Sequence, residues 1–158
     1  MYPPRTPAVT GQCVPTGRYF VRNARWKTYL ELPESTDEDK VVSAVGENTV
    51  THWWDVVEIG NGMHYILNAS SRTHANCDFA TKAGSAVVVG SRRQQFIITE
   101  CRTEGNYTIG LTDVELYWGL SDDEFGTSVQ LHPIPNTEEN QWYFIPVDMK
   151  PRSKRNTN

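Results

Sequence analysis

The side chains able to do chemistry are few and scattered. His74 and Cys77 stand three residues apart, but tetrahedral zinc needs two further ligands, and His52, His64 and His132 have no recognisable spacing to that pair. Asp122-Asp123-Glu124 puts three carboxylates in a row, which could hold calcium if other oxygens converged there, and which a solvated acidic turn explains equally well. There is no Gly-x-Ser-x-Gly elbow, no phosphate-cradling glycine loop and no His-Glu-x-x-His, and nothing marks one pair among the 19 acids for glycoside hydrolysis. The expectation is a protein that is not an enzyme, holds no metal, needs no cofactor and acts by binding.

Binding draws on different residues. Three stretches are long enough to protrude, residues 33–40, 68–75 and 133–139, and loops on a rigid frame are where specificity is carried. Arg72 is the base most freely presented by the second stretch. Lys40 closes the first after Glu34, Asp37, Glu38 and Asp39, and Arg25 and Lys27 flank Trp26 in a short connection that also reads as a solvated hairpin tip. Asn136, in the third, follows Pro135, whose fixed φ lowers the cost of ordering the loop on a partner.

These loops need a frame, and the chain supplies one made of strands. Between residues 17 and 149 apolar residues come in alternating or continuous runs of four to seven, rich in Val, Ile, Tyr, Phe and Trp, with almost no helical periodicity. The runs recur three times. Tyr19-Phe20-Val21, Tyr65-Ile66-Leu67 and Tyr107-Thr108-Ile109 open the units, 46 and then 42 residues apart. Residues 28–32, 76–80 and 115–118 follow, then 41–45, 86–89 and 128–131, and finally 54–57, 96–99 and 142–145. One such unit cannot bury its aromatic face alone, so three must close around a shared core. The pattern predicts an all-β protein, a twelve-stranded β-trefoil with a six-stranded barrel and a hairpin cap, divided near Gly60 and Gly105. A propeller would need four or more blades. Tyr65 is expected to superpose on Tyr19 and Tyr107, and Phe96 on Trp54 and Trp142, with Val42, Leu67 and Val88 also in the core.

Length and charge bound the partners. At 158 residues, 38% hydrophobic and with five Trp, the chain is one domain and has enough packing residues to fold. Residues 1–16, with four prolines, are expected to be a flexible N-terminal segment, 17–149 the folded domain and 150–158 a disordered basic tail. The net charge is −4; setting aside Lys150, Arg152, Lys154 and Arg155 of the tail leaves eleven bases against nineteen acids, or −8. An acidic body argues against nucleic acid as a partner. No run of apolar residues suits a membrane span or a signal peptide, so a cytoplasmic protein with no membrane partner is expected, with the three cysteines reduced and the sequons at Asn68 and Asn106 read as chance.

The segment Gly17-Arg18-Tyr19-Phe20-Val21-Arg22-Asn23-Ala24, the stretch Tyr117-Trp118-Gly119-Leu120-Ser121-Asp122-Asp123-Glu124-Phe125-Gly126 and its continuation to Pro133, and the closing Asn140-Gln141-Trp142-Tyr143-Phe144 resemble fungal β-trefoil peptidase inhibitors. These are the cospin-like serine protease inhibitors and, more distantly, the mycocypins. The resemblance implies a substrate-mimicking loop that enters the cleft of an endopeptidase. A trypsin-like target implies Arg72, Lys40, Arg25 or Lys27 in its acidic primary pocket; a legumain-like target implies Asn136. The chain is also similar to ricin-B-like lectins, whose Gln-x-Trp positions here read His52-Trp53-Trp54, Gln94-Gln95-Phe96 and Asn140-Gln141-Trp142. That alternative implies glycans as partners and places Asp78 in the sugar site.

Overall fold

The computed structural model describes residues 7–34, 39–79 and 82–147. Its strands are β1 (Gly17–Asn23), β2 (Tyr29–Glu31), β3 (Val42–Ala44), β4 (Trp54–Gly60), β5 (Met63–Asn68), β6 (His74–Asn76), β7 (Val88–Gly90), β8 (Phe96–Glu100), β9 (Tyr107–Gly110), β10 (Tyr117–Gly119), β11 (Gln130–His132) and β12 (Trp142–Pro146). Among the described residues the only helical segments are two single 3-10 turns, Val50–His52 and Glu138–Asn140.

Six strands close a barrel. Going around it, β12 pairs β1, β1 pairs β4, β4 pairs β5, β5 pairs β8, β8 pairs β9 and β9 pairs β12, all antiparallel. The other six form the hairpins β2–β3, β6–β7 and β10–β11. This is the β-trefoil that the threefold pattern predicts. Gly60 ends β4 where it turns into β5, and Gly105 lies in the turn from β8 to β9, at φ of 102° and 88°, a backbone conformation that glycine adopts without a Cβ penalty.

The cap hairpins are tied by a cyclic set of backbone bonds. Val41 N–H donates to the Val87 carbonyl (3.1 Å), Val87 to Val129 (3.0 Å) and Val129 back to Val41 (2.9 Å), and all three side chains are fully buried. Beneath them Trp54, Phe96 and Trp142 occupy related positions with no exposed surface. Two of the three fully buried indole N–H groups are satisfied, Trp54 donating to the Leu30 carbonyl at 3.1 Å and Trp142 to that of Trp118 at 3.0 Å, whereas Trp118 Nε1 has no partner among the described residues. Phe96 carries no donor and instead packs edge-on against Trp118, centroids 5.1 Å apart.

The second unit departs from the expected register by one residue. In β5 the buried side chains are His64, Ile66 and Asn68, matching Tyr19, Val21 and Asn23 of β1, so His64 and not Tyr65 corresponds to Tyr19 and Tyr107. Tyr65 and Leu67 therefore face outward, because side chains alternate along a strand and a one-residue shift exchanges the faces. The turn sets the register: Gly60, Asn61 and Gly62 all have positive φ, and the β4–β5 pairing shifts between Glu58 and Gly60. In the cap the same one-residue difference buries Val41, Val87 and Val89 in place of Val42 and Val88. Strand β6 ends at Asn76, so Asp78 and Phe79 fall in a turn, at φ of 52° and 63°.

The segment before β1 is packed, unlike the loose end expected of residues 1–16. Val14 is fully buried, and Val9 N–H donates to the Phe144 carbonyl at 2.7 Å. Each of the three related residues bonds to it: the Tyr19 hydroxyl donates to the Pro15 carbonyl (2.6 Å), the Tyr107 hydroxyl to that of Gly11 (2.6 Å), and His64 Nε2 meets that of Val14 (2.8 Å). Residues 1–6 and the basic tail 150–158 lie outside the described residues. Both sequon asparagines are buried structural groups: the Asn68 amide donates to the Thr51 carbonyl and that of Asn106 to Gln141 Oε1.

Candidate binding groove on the barrel wall

The register shift creates the site. Along β4, Trp54 and Val56 point into the barrel, so Asp55 and Val57 point out; across from them on β5 stand Leu67 and Tyr65. Arg18 of β1 pairs with Asp55 from the other side, and His74 of β6 pairs with Leu67. Arg72 at the β5–β6 tip and Arg93 before β8 complete an open groove of about 700 Å³.

Charge is unevenly paid for in this groove. Asp55 Oδ1 accepts from Arg18 Nε (2.7 Å), and Oδ2 accepts from Arg18 Nη2 (3.0 Å) and Arg72 Nη1 (3.1 Å). One carboxylate thus faces two guanidiniums. Arg93 lies 5.6 Å from the centre of the Tyr65 ring and makes no hydrogen bond or ion pair among the described residues. Tyr65 also meets His74 edge-on, centroids 6.0 Å apart. Burial, and then the neighbouring Arg93 charge, hold the His74 imidazole below its ordinary pKa, which keeps it neutral near pH 7. Three guanidiniums, one carboxylate, an aromatic ring and the apolar Val57 and Leu67 share one concave surface.

The loop candidates are dispersed. Arg72 is two-thirds exposed but anchored to Asp55, at φ of 62°. Lys27 occupies the matching point of the β1–β2 hairpin, also at 62°, with its Nζ donating to the Tyr143 hydroxyl at 2.9 Å. Arg25 lies over the Trp26 ring at 5.2 Å. Lys40 is held in a bridge to Val88, not at a loop tip. Asn136 is exposed in a pinned loop: Asn140 Nδ2 donates to the Ile134 carbonyl (2.8 Å) and Gln141 Nε2 to that of Pro135 (3.0 Å). Asp78 is exposed on the hairpin β6–β7. Beside it the Arg92 guanidinium covers the exposed Phe79 ring at 3.7 Å, and Gln94 Oε1 accepts from Cys77 N–H and from Arg92.

Sequence reasoning singled out Arg72 but missed Asp55, Tyr65, His74 and Arg93 as its neighbours. The pattern places Tyr65 in the core, and of the other three Asp55 lies on β4, His74 on β6 and Arg93 in the connection before β8, elements that meet only after the barrel closes. No group of three or more His, Cys, Asp or Glu able to hold a metal ion occurs among the described residues. No described helix is long and apolar enough to cross a membrane.

Solved structures share the fold across most of the chain. The Macrolepiota procera ricin B-like lectin in complex with lactose aligns with a TM-score of 0.79 at 17% identity, over 87% of this chain and 100% of that one. The Rhizoctonia solani agglutinin gives 0.77 at 18%, over 87% and 99%. A designed threefold-symmetric protein, ThreeFoil, gives 0.76 at 16%, over 83% and 99%. At such identities the likeness establishes the β-trefoil and no more. No protein-family model matches the sequence, and no curated protein matches it.

Proposed function

We propose that the protein is a carbohydrate-binding β-trefoil that acts by recognition and not by catalysis. The observation that carries this reading is the groove between β1, β4 and β5, which joins an aromatic ring and an apolar floor to convergent hydrogen-bonding groups. A sugar offers the complementary surface: C–H faces for Tyr65 and Leu67, hydroxyls for Asp55, Arg18 and Arg72. The lectins among the structural neighbours support it, since one of them is solved with lactose. A glycan array on the full chain tests the reading. Tyr65→Ala should abolish binding if the groove is the site, whereas loss in Asp78→Ala alone would move it to the β6–β7 hairpin. Absence of saturable binding to any glycan would reject the reading.

One observation favours a second reading, inhibition of an endopeptidase. The loop carrying Asn136 has its Ile134 and Pro135 carbonyls clamped from below, so it is pre-organised as a substrate-like loop should be. Arg72 suits that role less, because its left-handed backbone is not the extended form that a peptide offers a cleft. A legumain assay in which the wild type inhibits and Asn136→Ala does not would establish this reading; a wild type inactive against legumain and trypsin would remove it.

A further inference from the structure

The pseudo-threefold axis repeats the groove's position on the barrel wall, and the three copies differ in chemistry. Between β12 and β1 the place is already filled: Phe20, Tyr29 and Ile145 are buried there, packed against half-buried Tyr143 and Trp53. Between β8 and β9 a groove of about 520 Å³ remains, lined by Thr99, Thr108 and Tyr117 with Asp113 and Glu115 as its charged groups. Between β4 and β5 the charged groups are Arg18, Arg72, Arg93 and Asp55. The hairpin tips tell the same story, since Lys27, Arg72 and Glu115 stand one residue before Thr28, Thr73 and Leu116, whose carbonyls close the three related turns.

Arg18 spends both Nε and Nη2 on Asp55, whereas Arg72 spends only Nη1. The Nε and Nη2 edge of Arg72 and the whole fork of Arg93 are unspent. A planar guanidinium edge pairs best with an oxyanion presenting two oxygens.

The geometry points to an acidic sugar as the ligand of the β4–β5 groove, its anionic group taken by Arg72 and Arg93 and its ring by Tyr65 and Leu67, one per chain. This deepens the carbohydrate reading and rests on it. The carboxylate of a sialic or uronic acid and the ester of a sulfated sugar share the required chemistry. Burial is the larger cause of the lowered His74 pKa, and a bound anion beside Arg93 would offset the smaller share that the Arg93 charge contributes.

Calorimetric titration of the full chain with sialyllactose, a galacturonic acid disaccharide, sulfated lactose and lactose tests the inference. We expect at least one acidic sugar to bind with a stoichiometry of one and at least tenfold more tightly than lactose, with affinity falling as salt rises. The sialyl and galacturonic arms together, against the sulfated arm, identify the anion. Arg93→Gln, which breaks no hydrogen bond or ion pair among the described residues and loses only the contact with the Tyr65 ring, should cost tenfold or more for the acidic sugar and leave lactose unaffected, and Glu115→Gln in the acidic groove should change neither. Imidazole NMR should show the His74 pKa rising on binding. Lactose binding as tightly as every acidic sugar, lost in Tyr65→Ala but untouched by Arg93→Gln, would overturn the acidic ligand while leaving the carbohydrate reading in place. No binding by any of the four sugars, or by any glycan of the array, would overturn both.

Discussion

Lys27 and Arg72 hold the same point in two related hairpins. Each has φ of 62°, and each donates its N–H to the carbonyl of a buried asparagine four residues earlier, Asn23 at 3.0 Å and Asn68 at 2.9 Å. The asparagine side chains complete both turns. Asn23 Oδ1 accepts from Arg25 and Trp26 N–H, and Asn68 Oδ1 from Ser70 and Ser71 N–H. The cationic tips therefore stand on rigid, internally bonded turns.

Removing one of these asparagines should be costly. In Asn68→Ala the Thr51 carbonyl keeps only its bond from Leu32 N–H, and the amides of half-buried Ser70 and exposed Ser71 lose the acceptor that shapes the turn, a loss of three hydrogen bonds at a buried side chain that should cost about 2–4 kcal/mol in all. Urea denaturation should show a loss in that range. By contrast Arg72→Ala, at an exposed tip, should shift stability by no more than about 1 kcal/mol.

Two of the core aromatics, Trp142 and Phe96, should respond differently to substitution. Trp142→Phe keeps most of the volume but orphans the Trp118 carbonyl, for a loss of about 1–3 kcal/mol. Phe96→Ala leaves a cavity against Trp118, and should cost roughly 3–5 kcal/mol. Thermal and denaturant melts of the two variants check the order, which would reverse if the indole bond outweighed packing.

The repeat was legible in the sequence because its anchors are large and regularly spaced: Trp54, Phe96 and Trp142 each close a unit and are buried as the pattern requires. The slip at Tyr65 was not, since an aromatic next to a histidine gives no sign of which side faces in, and the deciding feature is the turn at Gly60, Asn61 and Gly62. The packed N-terminal segment escaped for another reason. It is bound mainly through its own carbonyls, to Tyr19, His64 and Tyr107, and backbone acceptors leave no trace in residue type. The groove was hidden because its parts come from strands far apart in the chain.

Acid should loosen the N-terminal segment. Glu100 Oε2 accepts from the N–H groups of Gly105 (2.9 Å) and Gly11 (3.0 Å), and these two bonds lower its pKa from the ordinary 4.5. A carboxyl depressed in the fold contributes stability that is present above about pH 4.5 and is lost as pH falls through the lower native value. NMR should show the amide protons of Gly11 and Gly105 titrating together with a midpoint below 4.5. In Glu100→Gln that transition should vanish.

Cys77 should be chemically silent in the folded protein. Burial pushes its thiol pKa up to about 12, only partly offset by the Arg92 charge, so at pH 8 the reactive thiolate is on the order of one molecule in ten thousand. Cys13 and Cys101, both partly exposed, should be alkylated first by iodoacetamide, with Cys77 following at the rate of global unfolding. Mass spectrometry of the labelled peptides measures the order, and equal rates at all three would contradict it.

The circuit of Val41, Val87 and Val129 counts the units of the chain. Each amide finds its acceptor only in the next unit, and the third returns to the first. A chain of two units would leave one amide and one carbonyl of the circuit stranded in a dry interior, and a fourth unit would find no vacant partner. Gradual lengthening or shortening by whole units is thus closed to this protein, and a product cut off before Val129 should have no partly functional form: the loop is either complete or absent.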